Sequence, residues 1–82
     1  MKILVIEDDR ATSEYVAEGL REEGHSVDLV GSGREGLIRA TTTAFDVLIV
    51  DRMLPELDGL SLVRTLRGAK VRTPVLFLTS LG

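Results

Sequence analysis

Acidic groups and a hydroxyl pair stand at the ends of apolar runs, where their types and spacing could do chemistry. Glu7-Asp8-Asp9 follows residues 3–6, Asp51 follows residues 47–50, and Thr79-Ser80 follows residues 75–78. Crowded carboxylates either raise one another's pKa or recruit a cation, and an all-oxygen set without His or Cys favours a hard ion such as Mg²⁺. Magnesium takes one or two protein carboxylates and keeps positions free for phosphoryl oxygens. An aspartate beside such an ion could attack a phosphoryl group. That reaction needs a carboxylate nucleophile, a cation and hydrogen-bond donors, and Asp51, Mg²⁺ and Thr79 fit those parts.

Each residue alone has a plainer explanation. The acids at 7–9 suit the positive end of a following helix. Asp51 could end a strand as a turn residue, and Thr79 and Ser80 could do the same or cap a helix. The combination is informative only if one framework brings them together.

The pattern of elements supplies that framework. Residues 3–6 are continuously aliphatic, as expected of a strand covered on both faces. From Arg10 to Glu23 the apolar Ala11, Tyr15, Val16 and Leu20 fall at helical spacing, and Gly24 follows as a stop. Residues 27–30 make a second strand. Ser32 with Glu35 fits a capping box opening a helix with Leu37 and Ala40 on one face. Residues 45–50 read as a central strand ended by Asp51, the loop 54–59 breaks the chain, and Asp58 is placed to cap a third helix carrying Leu62, Val63 and Leu66. Gly68 closes it, and residues 75–78 form a fourth strand. The order βαβαβαβ predicts a parallel sheet with right-handed crossovers and helices on both faces. Ligands of such sheets sit beyond the carboxyl ends of the strands. If the first and third strands are neighbours, Glu7, Asp8 and Asp51 converge there.

Size and composition narrow the rest. Eighty-two residues, 44% of them apolar, make one domain, and a small one that buries a modest share of its surface. Thirteen acidic against ten basic residues give a net charge of −3 without a basic run, so this segment is not expected to touch nucleic acid. There is no cysteine, and the opening residues fall short of a signal peptide or membrane span, so a cytoplasmic setting is expected. Gly31, Gly33 and Gly36 spell a dinucleotide-type GxGxxG, but it follows the second strand and coincides with the capped helix start. His25 reads as an exposed turn residue and Tyr15 as a packing residue.

The stretches LVIEDD, LIVDRMLPELDG and PVLFLTS resemble the receiver domain of two-component response regulators, and the wording is most similar to the subclass whose receivers precede a winged-helix DNA-binding domain. The resemblance covers all 82 residues and implies a flavodoxin-like, doubly wound α/β sheet with strand order 2-1-3-4. It also implies that Asp51 accepts phosphate from a partner histidine kinase. Asp8 matches the carboxylate that binds Mg²⁺, Glu7 the adjacent acid, Met53 the position offering its backbone carbonyl to the metal, and Thr79 the switch hydroxyl. Carboxylate-rich phosphatases need a second acid two residues after the nucleophile, where Met53 stands, so no enzyme is expected beyond Mg²⁺-dependent self-phosphorylation and dephosphorylation on Asp51. The family pattern continues past Thr79 with a further helix, strand and helix, which carry a lysine that Lys2 and Lys70 do not match. Residues 1–82 are therefore expected to be a partial receiver without an effector domain, with a fourth-strand edge that invites self-association. The alternative is an interaction module that is not phosphorylated.

Overall fold

A computed structural model describes residues 1–78. Four parallel strands, β1 (Lys2–Ile6), β2 (Ser26–Val30), β3 (Val47–Asp51) and β4 (Val75–Leu78), lie in the order β2-β1-β3-β4. Helices α1 (Arg10–Glu22), α2 (Gly33–Thr42) and α3 (Gly59–Gly68) connect them. This is the expected doubly wound α/β arrangement with the expected strand order.

The central strands β1 and β3 are covered on both faces because residues 3–6 and 47–50 are apolar throughout. Ile3, Val5 and Ile49 pack with Val27 and with Ala17 of α1. Leu4, Ile6, Leu48 and Val50 pack with Ala40 of α2 and with Leu62 and Leu66 of α3. Leu4, Val5, Ile6, Leu48 and Val50 are fully enclosed, each worth roughly 1.5–3 kcal/mol of apolar transfer. An unbroken hydrophobic run is what a two-sided strand requires.

Several local expectations need adjustment. β2 starts at Ser26, and β3 starts at Val47, with Phe45 buried ahead of it. The buried face of α1 is centred on Ser13 and Ala17, with Val16 and Leu20 packed beside them as expected; Ala11 is exposed and Tyr15 is 80% exposed. Small residues let the helix lie close to the sheet, and the Ser13 hydroxyl is satisfied by the Arg10 carbonyl at 3.1 Å. His25 is half-buried, its Nδ1 3.0 Å from the terminal amine of Met1. Gly68 is the last residue of α3, with Ala69 as its cap.

Both helix starts that position loops near the acids are capped as expected. Ser32 Oγ accepts from the Glu35 amide at 3.1 Å, the forward half of the capping box. Asp58 accepts from the Ser61 amide at 3.0 Å and from its hydroxyl at 2.9 Å. These hydrogen bonds, from the Ser61 amide first, hold the Asp58 carboxyl below the usual range. Two of the three glycines of the GxGxxG spelling, Gly33 and Gly36, have a packing purpose. A Cβ on Gly36 would lie 2.6 Å from Ile6 Cδ1, and one on Gly33 would collide with the Leu57 carbonyl. The spelling marks close approach of α2 to β1 and to the loop after β3, and gives no reason to invoke a nucleotide.

Candidate functional site

β1 and β3 are adjacent, with Ile6 opposite Val50, so the residues one step further along, Glu7 and Asp51, leave the sheet side by side. Each strand runs out of apolar residues at that point, and its carboxylate emerges at the carboxyl edge. The Glu7 amide still donates to the Val30 carbonyl at 3.1 Å, which fixes Glu7 to the end of β2. Glu7 is consequently only 8% exposed, Asp51 is half-buried and Asp8 is exposed. Carboxylate oxygens of Glu7, Asp8 and Asp51 all lie within 4.8 Å of one another.

Backbone amides orient two of them. Glu7 Oε2 accepts from the Asp8 amide at 2.9 Å, and Asp51 Oδ1 accepts from the Met53 amide at 3.0 Å. The Asp51 bond is an Asx-type turn, which holds the carboxylate at the mouth of the site as the chain leaves the strand. The Met53 side chain is exposed. Beyond it, the Leu57 amide donates to the Pro55 carbonyl at 2.8 Å, a tight turn centred on Glu56 at φ 69. Gly59 is held against the end of β3, where a Cβ would lie 2.5 Å from the Asp51 carbonyl oxygen.

Burial, then the hydrogen bond to Asp51 and repulsion from its charge, push the Glu7 carboxyl up to about 8. A proton shared within the cluster relieves the repulsion. A divalent cation would relieve it better, and an all-oxygen set at this spacing suits Mg²⁺, whose chemistry would be to neutralise charge on the carboxylates and on a phosphoryl group. The residues present therefore fit such an ion.

Of the sequence-predicted residues, Glu7, Asp8 and Asp51 are brought together, and Met53 contributes its amide to Asp51. Thr79, with Ser80, lies outside the described residues. Sequence reasoning missed a cleft of about 320 Å³ on the β2 side of the acids, lined by Glu7, Asp8, Arg10, Ser13, Glu14 and Glu35 over Leu29, Val30 and Gly31. Asp51 is not among its lining residues. The available signal was Arg10, the first residue of the helix directly after three acids.

The response regulator receiver domain family matches residues 3–82. Among curated proteins, the chain is similar to the transcriptional regulatory protein CusR of Escherichia coli K12, 45% identical over 82 residues, which are 100% of this chain and 36% of CusR. Among solved structures it superimposes on the receiver domain of Francisella response regulator 1452 with a TM-score of 0.94 at 35% identity, covering 98% of this chain and 66% of that one. The receiver domain of sensor histidine kinase PA1611 from Pseudomonas aeruginosa PAO1, which has a magnesium ion coordinated in its active-site cleft, gives a TM-score of 0.92 at 32% identity, covering 98% of this chain and 67% of that one. The chain thus spans about a third of the length of its curated relative. Fold, acidic site and relatives agree: this chain belongs to the response regulator receiver domain family.

Proposed function

We propose that residues 1–82 are the phospho-accepting part of a larger two-component response regulator, in which Asp51 takes a phosphoryl group from a histidine kinase. A carboxylate oxygen of Asp51 forms the new bond to phosphorus as the kinase's phosphohistidine N–P bond breaks, and the released imidazole keeps the electron pair. Glu7, Asp8, Asp51 and the backbone carbonyl of Met53 would hold Mg²⁺, and Thr79 would supply the switch hydroxyl. The observation that carries this reading is the trio of carboxylates within 4.8 Å at the ends of adjacent parallel strands. The larger protein would control transcription from the cytoplasm, while this segment, at net charge −3, would not itself touch DNA.

The direct test is incubation with acetyl phosphate and Mg²⁺ followed by intact-mass measurement. Addition of one phosphoryl group to the wild type and none to Asp51→Asn is the expected result. An unmodified wild-type chain would overturn self-phosphorylation from small donors.

A partial receiver that acts only as an interaction module is not favoured, because the acidic site is assembled. Self-association of the 82-residue polypeptide is a separate property that we infer from β4. That strand is terminal in the sheet order and uncharged, with Leu76 61% and Phe77 37% exposed. An apolar, uncharged edge of this kind pairs readily with a second copy. Sedimentation should show a concentration-dependent mass that Leu76→Lys lowers; a constant monomer mass for the wild type would count against it.

A further inference from the structure

Taking Asp51 as the phosphoacceptor, we propose that Arg10 is a phosphoryl-binding residue of this site, its guanidinium held at the rim of the cleft by Glu14 until phosphoryl oxygens outbid that carboxylate. Arg10 is the first residue of α1, three positions after Glu7, and lines the same cleft as Glu7 and Asp8. Among the described residues it is the one cation lining that cleft, against four carboxylates, those of Glu7, Asp8, Glu14 and Glu35.

The way Arg10 is held makes it available. Its Nε meets Glu14 Oε1 at 3.2 Å, with the two side chains 90% and 61% exposed. An exposed i,i+4 pair of this kind is among the weakest ion pairs in proteins, so little opposes its exchange for another anion. Three other arginines are engaged elsewhere: Arg39 with Asp28, Arg21 with the Val27 carbonyl, and Arg67 with the Val71 carbonyl. A guanidinium also matches phosphoryl oxygens geometrically, because its fork of donors can meet two of them at once.

The placement has opposite consequences for the two ligands of the site. A fixed positive charge near Glu7 and Asp8 repels a divalent cation from the carboxylates and attracts the anionic group on Asp51. Screened by solvent, one such charge–charge interaction changes binding by roughly 3-fold, and one with a divalent ion by roughly 10-fold. Loss of packing or of helix stability would not move two affinities in opposite directions.

The experiment uses the 82-residue chain, with Mg²⁺ affinity measured by NMR titration and then beryllofluoride, a phosphoryl mimic, titrated at saturating Mg²⁺. Arg10→Ala should bind Mg²⁺ about 3- to 10-fold more tightly and beryllofluoride about 3- to 10-fold more weakly. Arg10→Lys, which keeps the charge, should restore much of both, and Glu14→Gln, which releases Arg10, should shift both the other way. Arg64→Ala on α3 removes the same charge far from the cleft and sets the baseline for net-charge effects. Arg10→Ala affinities that move together, or that match those of Arg64→Ala, overturn the proposal. A wild type that binds Mg²⁺ but no beryllofluoride sinks the phosphoacceptor reading of Asp51, and the Arg10 proposal falls with it.

Discussion

Glu7 ties folding and metal binding to one titration. The unfolded carboxyl loses its proton near 4.5, whereas the folded one keeps it to about 8. Between those values the native chain binds more protons than the unfolded chain, so this group's contribution to stability is complete below 4.5 and is lost as pH rises through 8. Thermal unfolding of the metal-free protein should therefore show a melting temperature that declines across this window. Glu7→Gln, neutral at every pH, should flatten the decline. Mg²⁺ competes with that proton, so its apparent affinity should rise with pH, and at 100 times its dissociation constant it adds about 2.7 kcal/mol of stability. At this scale the sequence was legible for Glu7, Asp8 and Asp51, because each follows an apolar run and the strand directions do the rest. The proton on Glu7 was not legible, since it depends on burial beside the end of β2 and on contact with Asp51, both products of packing.

At the scale of elements, close approach sets the tolerances. Gly36→Ala would place a methyl group 2.6 Å from Ile6 Cδ1, and overpacking of this kind should lower stability by about 1–3 kcal/mol in denaturant titrations. The loop after β3 offers the opposite case. Glu56 sits at φ 69, a conformation that costs an L-residue and not glycine, and its side chain is exposed. Glu56→Gly should raise stability by about 0.5–1 kcal/mol in the same measurement, and a loss would show that the side chain contributes more than the turn costs. Strands and caps could be read because hydrophobic runs and Ser or Asp before a helix are local signals. The face of α1 could be read only in part: Val16 and Leu20 pack against the sheet as expected, whereas Ala11 and Tyr15 are exposed. A 3.6-residue period admits more than one stripe, and the observed one depends on small Ser13 and Ala17 sitting against the sheet, which hydrophobicity alone does not favour over Tyr15.

Across the whole molecule, each strand pairing joins distant parts of the chain. β1 lies between β2 and β3, and β3 between β1 and β4, so the sheet grows outward from its centre in an order unlike that of the sequence. Parallel pairing of this kind is slow to form because loops must close before contacts reward them. The strand order was nonetheless legible through resemblance, whereas the depth of each carboxylate was not. The carboxylate trio draws on both β1 and β3 and exists only once those two strands have docked. A cation bound there would meet its full set of ligands only in the finished sheet. Folding kinetics with and without Mg²⁺ should therefore share a refolding limb and differ in the unfolding limb, the ion acting as a latch on the completed structure and not as a guide to it.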